Sequence, residues 1–414
     1  MTSPTGATAD AAPARAAPTP ATVVALIAQI AFGLVAMTIC LPSMPDWGRM
    51  FGASTAAVQL SFSGFVLAYG VFQLLYGPLS DRLGRRPVLL AGLAVAAAGS
   101  VVAALAPSLP ALVAARVLQG AGAAAGMVVG RALVQDLFQG PERTRVMGFV
   151  GMAMGLCPPG ATLLGGQLHE RLGWAANFWF VAALALVVAA ASWRLLPTGR
   201  SAAHAAHTSP TAQPWARTMA AAYARLLRER AYLRFVGILG LTTATFYAFL
   251  GGAPQVLAAM GVGPAQMGWV IMAIPLSYIV GNGLATRWAR GVGDRRLMRW
   301  GQVLSITGLA LGLGLALTGA PALSGPVAFA APLVLLGLGH GLLMPPTLAG
   351  TVGVVPALAG AAAAGAGLTQ QLTGALGGYA VGFVPHDGAA GLLALMLGFT
   401  LLAAAVQRWG ATRG

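Results

Sequence analysis

The chain has no lysine and only nine carboxylates: Asp10, Asp46, Asp81, Asp136, Glu142, Glu170, Glu229, Asp294 and Asp387. Charged residues fill 8% of its 414 positions, where a soluble domain carries about 25%. That scarcity excludes a water-dissolved globular domain. Cysteine is equally rare. Cys40 and Cys157 both fall within apolar runs, so there is no disulfide framework and no sign of redox compartment. Also missing are a nucleotide-binding loop, a metal-ligand cluster and a nucleophile constellation. The lone pair His169-Glu170 is no metal site by itself. No metal, cofactor or enzyme chemistry is expected.

What the chain has is arginine and long apolar runs. The net charge of +15 rests on arginine alone. A nucleic-acid binder would carry such charge on a polar, foldable domain. Here the arginines sit in short connections between apolar segments, and no nucleic-acid partner is expected. Hydrophobic residues make up 57% of the chain and the mean hydropathy is +0.78. Crossing a bilayer takes about 20 apolar residues at 1.5 Å of rise each. Twelve runs qualify: 21–44, 56–79, 88–106, 110–135, 146–168, 175–196, 234–256, 264–286, 299–319, 327–349, 358–383 and 388–407.

Arg82, Arg85, Arg86, Arg143, Arg145, Arg287, Arg290, Arg295, Arg296 and Arg299 fall at one end of these runs, and only Arg49 and Arg171 at the other. The positive-inside bias then places both termini in the cytoplasm. Residues 1–20, rich in Ala, Pro and Thr with one Arg15, read as a disordered cytoplasmic tail before an uncleaved first helix. Residues 408–414 form a second tail. The one long connection, 197–233, holds His204 and His207, then a basic amphipathic helix from Trp215 expected on the inner leaflet. It divides the chain into 21–196 and 234–407, six runs each.

The most informative stretch is Gly77-Pro78-Leu79-Ser80-Asp81-Arg82-Leu83-Gly84-Arg85-Arg86-Pro87, a basic hairpin between two runs. Gly77 is expected to end a helix and admit a close neighbour. Gly84 should supply the turn. Pro87 should start the next helix, where a missing N–H is harmless. Asp81, alone among arginines, should be paired. The plainer reading is a solvated loop that only sets topology.

These residues resemble the loop 2–3 signature of the major facilitator superfamily, Gly-x-Leu-(small)-Asp-Arg-x-Gly-Arg-(Arg/Lys)-x-x-Leu. The helix before it, with Gln59, Tyr69, Gly70, Gln73 and Tyr76-Gly77-Pro78, resembles the bicyclomycin/chloramphenicol-resistance branch of that family's drug:proton antiporters. The resemblance implies an all-α integral membrane fold: twelve transmembrane helices in two pseudo-symmetric six-helix bundles around a midplane site. It implies a multi-pass monomer of the bacterial inner membrane whose partners are lipid, a small-molecule substrate and protons. It also implies a conformational switch built from Gly77, Asp81, Arg82, Gly84, Arg85 and Arg86 with Arg131 and Asp136, Asp136 lying about one hydrocarbon thickness beyond Arg116, in which the Asp81, Arg85 and Asp136 charges hold the outward-open state and separate as the halves rock.

Arg116 stands in Arg116-Val-Leu-Gln119-Gly120-Ala-Gly122, which resembles the family's helix 4 motif, where the arginine is implicated in substrate and proton handling. An arginine this deep in a span must face the interior and find a partner. The plainer alternative bonds it to helix-end carbonyls. Pro158, Pro159, Gly160, Gly165 and Gly166 resemble the antiporter motif of helix 5 and predict close helix packing with a kink. Thr162 stands where that motif's second proline belongs. In span 1 the branch reads Asp-x-Tyr-Leu-Pro, whereas this chain reads Thr38-Ile39-Cys40-Leu41-Pro42. No carboxylate is left at mid-membrane, which favours neutral or anionic cargo.

The one histidine inside a span is His340, flanked by Gly339 and Gly341. Imidazole titrates in the physiological range, so His340 is a candidate proton carrier beside the commoner reading of a neutral inter-helix bond. Gln29, Tyr247, Asn282, Gln370 and Gln371 are further polar residues within spans. With Thr38 and Gln119, several of these are candidates to line a cavity; Phe246, Phe249 and Met344 read as packing. The expected function is secondary active export of a small organic molecule, a drug or a self-made metabolite such as a siderophore, by proton antiport with alternating access. Import, uncoupled diffusion and a non-transporting receptor or scaffold are the contrasting readings.

Overall fold

The computed structural model describes residues 19–196, 215–318, 325–385 and 388–409. Nearly all of the expected N-terminal tail, His204 and His207 of the connection, and residues 410–414 lie outside the described residues. Among the described residues, twelve long spans follow one another, one of them split in two. Spans 1 to 6 are Pro20–Thr38, Thr55–Leu83, Arg85–Ala104, Leu109–Leu137, Gly140–Leu172 and Ala175–Leu195. Spans 7 to 12 are Arg230–Ala259, the pair Pro264–Ile271 and Ala273–Val292, then Asp294–Leu317, Pro326–Gly353, Ala359–Ala380 and Ala390–Trp409. Among the described residues, eleven spans meet both the length and the apolarity of a membrane crossing. The exception is Ala359–Ala380, where Thr369, Gln370, Gln371 and Thr373 dilute the apolar run. Helices suit this role because lipid offers no partner for backbone N–H and C=O groups.

The two halves repeat one plan. Span 4 packs on spans 2 and 3, and span 10 packs on spans 8 and 9. Spans 2 and 3 are separated by Gly84 alone, at φ 99°, and spans 8 and 9 by Gly293 alone, at φ 79°. Only glycine adopts such a φ without strain, which explains its place in both turns. The 2–3 connection is therefore tighter than a hairpin loop.

Two expectations for this connection need correction. Gly77 does not end a helix, since span 2 continues to Leu83. Its nearest neighbour would be Val128, an ordinary 3.8 Å away, so no close approach is demanded there. Pro87 does not start span 3, which begins at Arg85. It sits in the first turn, where backbone N–H groups have no intrahelical acceptor, so its missing donor remains harmless.

Among the described residues the halves meet from one end to about mid-depth, where Gly70 touches Gln371 and Gly155 faces Ile279. At the end holding Leu41–Ser43 and the short helix Met44–Met50, a Cβ on Gly166 would lie 2.1 Å from the Pro264 carbonyl oxygen, and one on Gly382 would lie 2.4 Å from the Ala56 Cα. At the end holding Gly84 and Gly293, the helices that meet at the other end stand apart. From Val71 to Leu79 only Tyr76 of span 2 is buried, and among the described side chains of 140–152 in span 5 only Val146 and Val150 are. Helices exposed on so many faces have no partner half against them. Of the eight tryptophans whose side chains are described, six are exposed: Trp179 and Trp269 near the closed end, and Trp193, Trp288, Trp300 and Trp409 near the open end. Such indole belts mark the two membrane–water interfaces.

Candidate functional site

Arg116 lies at the centre of the first half, fully buried. Its guanidinium donates to Ala36 O at 2.8 Å, Met37 O at 3.2 Å, Ser61 O at 3.4 Å and the Gln119 side-chain oxygen. Ala36 and Met37 sit in the last turn of span 1, whose carbonyls have no intrahelical donor. Arg116 supplies those donors from span 4. It also stands 4.3 Å over the Phe65 ring, a desolvated cation–π contact. Gln119 passes the network on, donating to Ser100 Oγ of span 3 at 2.7 Å. The partner that burial required is thus a set of neutral oxygens, and the guanidinium ties spans 1, 2 and 4 together.

At the open end Arg85 binds Asp81 at 2.6 Å and Asp136 at 3.1 Å, with a third bond to Ser80 Oγ at 2.7 Å. The cluster joins spans 2, 3 and 4, all within the first half, and it is formed while its own end stands open, so opening that end does not require it to break. Arg82 is exposed and Arg86 lies 4.3 Å over the Trp193 ring. Arg131 does not join them. It is exposed and contacts the Met154 sulfur at 3.3 Å. At about 100° per residue it falls within the arc of span 4 marked by Gly120 and Val128, which touch span 2 farther up the helix, and its tip reaches Met154 of span 5. Six residues from the helix end, it lies about 9 Å inside the open mouth.

The unequal exposure of the two carboxylates predicts unequal effects. Asp81 is 47% exposed and Asp136 24%. Asp81→Asn should cost about 0.5 kcal/mol of stability, as an exposed helical ion pair does. Asp136→Asn withdraws charge from an arginine only 13% exposed and should cost about 1–3 kcal/mol. Thermal unfolding of the purified variants measures both.

The seam between the halves carries polar groups. Gln59 donates to Gly251 O of span 7 at 2.7 Å. Tyr247 donates to the Gln371 side-chain oxygen at 3.0 Å and meets Phe62 edge-on at 5.8 Å. Gln371 packs against Gly70, and Gln370 donates to Thr243 at 3.2 Å. Gln59 Oε1, Ser63 Oγ and the Tyr69 hydroxyl are buried with no hydrogen-bond partner. Sequence reasoning did not place Gln59, Ser63 or Tyr69 in the site, although Gln59 was visible as an amide inside an apolar run.

Other candidates take plainer positions. The Gln29 amide is turned to span 6, toward Val188 O at 3.4 Å and Ser192 Oγ. Thr38 donates to Leu34 O and Pro158 O, and Thr162, in place of the motif's proline, also donates to Pro158 O at 2.9 Å. Pro158 and Pro159 lie within span 5. Gly165 would place a Cβ 1.8 Å from Ile39 O, whereas Gly160 has nothing within 4 Å, so the expected close packing at Gly160 is absent. His340 is 5% exposed. Gly337 and Gly341 turn toward span 8 and Gly339 toward span 9. His340 falls on the remaining arc with Met344, which reaches the Tyr232–Val236–Leu239 cluster of span 7.

A family model described as Major Facilitator Superfamily matches residues 24–378. The chain belongs to the Major Facilitator Superfamily. It is a multi-pass membrane protein, and the chain aligns with less than half the length of two of the curated relatives it matches, 44% and 33%. It is 35% identical to Multidrug resistance protein D of Escherichia coli over 175 residues, 42% of this chain and 44% of that relative. It is 29% identical to a chloramphenicol resistance protein of Pseudomonas aeruginosa over 309 residues, 73% of this chain and 70% of the other. The crystal structure of a D-xylose–proton symporter superposes with a TM-score of 0.74 at 16% identity, covering 93% of this chain and 96% of that one. That last likeness speaks for the superfamily fold alone.

Proposed function

We propose that this protein is a transporter that exports a small neutral or anionic organic molecule from the bacterial cytoplasm across the inner membrane, by alternating access coupled to proton antiport, and that it works as a monomer. The observation that carries the reading is the one-ended closure, with the exposed Arg131 guanidinium inside the open mouth. In this reading the open end and both termini face the cytoplasm, following the arginine bias. The halves 21–196 and 234–407 rock about the seam, with 197–233 linking them. The Arg85 cluster holds spans 2 to 4 as one switching unit. Arg131 attracts anionic cargo, because a cation in a narrow, low-dielectric mouth focuses its field there. The names of the two resistance proteins support export of drug-like molecules. The seam residues Tyr247, Gln370 and Gln371 offer hydrogen bonds to a polar substrate.

For the proton, His340 is the carrier of choice. It is a buried imidazole inside a span, and the seven described carboxylates all sit in connections or in the terminal turns of helices. Everted membrane vesicles energised to be acid inside test the whole reading. They should accumulate a phenicol and an anionic dye, and a protonophore should abolish both. Arg131→Gln should lower dye uptake about tenfold while affecting the phenicol less. His340→Gln should leave only uptake that the protonophore no longer changes. Uptake without any protonophore effect in the parent protein overturns the coupling, and no uptake of either probe overturns the export reading.

A further inference from the structure

At the closed end, outside the pathway just described, Ser43, Asp46, His169 and Asn177 form a cluster. His169 Nε2 lies 3.1 Å from Asp46 Oδ2, His169 Nδ1 lies 2.7 Å from Ser43 Oγ, and Asn177 Nδ2 donates to Ser43 Oγ at 3.0 Å. The imidazole is 14% exposed and the carboxylate 28%, so water reaches both. We propose that His169 with Asp46 is a proton-binding site whose occupancy clasps the segment Leu41–Met50 onto the first half and thereby favours closure of this end.

The hydrogen-bond capacity of the cluster supports both protonation states. With a neutral ring, Nε2–H donates to Asp46 and the Ser43 hydroxyl donates to Nδ1. With a charged ring, both nitrogens donate, and rotation of the Ser43 hydroxyl turns its oxygen into the acceptor. The difference is strength, since a charge-assisted bond is roughly twice as strong as a neutral one. Asn177 Oδ1 is buried without a partner, so a spare acceptor also stands beside the serine.

The segment that is clasped bridges the halves. Leu41–Ser43 packs on span 5, on span 7 and on Pro264–Ile271, and Met44–Met50 packs on span 7. Holding it firmly to spans 5 and 6 presents a fixed surface for the second half to close against. The charged groups around the imidazole are few. Asp46 comes from the short helix, with Arg49 bound to it at 2.5 Å. Glu170 and Arg171 follow on span 5 itself, both exposed. The packed turns of span 6 and of Pro264–Ile271 contribute no titratable side chain. Imidazole is the side chain that gains charge between pH 8 and pH 5, so closure should strengthen as pH falls.

The test needs no substrate and no gradient, and so stands or fails apart from the export reading. Spin labels at Met50 and Gly261, on the full chain in nanodiscs, report the separation of the halves at this end. Between pH 8 and pH 5.5 the closed-to-open ratio should rise about fivefold or more, the scale of ordinary coupling between sites. His169→Gln should flatten the response toward the open population, and His169→Arg, a permanent cation, should hold the closed population at both pH values. Asp46→Asn should flatten the response as well. An unchanged pH response in His169→Gln, or an open population in His169→Arg at pH 8, overturns the proposal.

Discussion

Replacing Arg116 by alanine is expected to cost the folded protein about 4 kcal/mol or more, and to lower its unfolding midpoint by about 5 °C. Three backbone carbonyls, Ala36 O, Met37 O and Ser61 O, lose their bond to the guanidinium at once. Ala36 O and Met37 O, in the last turn of span 1, then lack that donor at about 1–3 kcal/mol each, Ser61 O keeps its bond within span 2, and the Phe65 contact and the filled volume are lost as well. Arg116→Lys should fall between the two, because one ammonium cannot reproduce a planar fork that reaches two helices. A purely transport-related arginine would behave differently: the alanine variant would unfold at the parent temperature and only stop transporting. Thermal unfolding followed by size-exclusion chromatography separates the two outcomes.

The second large effect is expected at two adjacent glycines with opposite consequences. Gly165 faces the Ile39 carbonyl of its own half, so Gly165→Val should prevent the first half from folding and leave little monodisperse protein. Gly166 faces Pro264 of the other half, and Gly268 answers it with a Cβ position 2.5 Å from the Leu163 Cα. Backbones this close leave no room for a side chain. Gly166→Leu should fold but fail to close the far end. A cysteine at Ser63, in the seam and 6% exposed, reports this in a background without Cys40 and Cys157. Its labelling by a membrane-impermeant maleimide should rise about tenfold in Gly166→Leu, the shift expected when about 1.4 kcal/mol moves between two states. Transport should fall in proportion. Equal labelling in the parent and the variant would show that Gly166 does not control closure.

The helical plan was legible because lipid enforces a simple rule: a backbone with no water must bond to itself, and the runs of apolar residues record that rule directly. That Asp81 would pair with an arginine was legible too, since it is a single acid among three, while the choice of Arg85 came only with the family resemblance. Arg116 shows the limit. Its depth could be counted along the helix, but its acceptors are backbone oxygens of spans 1 and 2, and carbonyls carry no sequence signature. The His169 cluster escaped for a related reason. Asp46 and His169 are more than a hundred positions apart, and each alone reads as an ordinary residue at a helix end. Arg131 and Asp136, five residues apart on one helix, were grouped by level, whereas the helical turn sends them to different neighbours. Gly77 and Gly160 carried motif weight, but neither has a close neighbour in this state.

The single-residue turns at Gly84 and Gly293 set a mechanical condition on the rocking motion. A joint of one residue has almost no slack, so spans 2 and 3, and likewise spans 8 and 9, must swing as stiff levers. Any tilt of a seam helix is passed undiminished to its outer neighbour, which pushes on the surrounding lipid. The work of switching is then shared with the bilayer, and its thickness and stiffness become part of the machine's energy landscape.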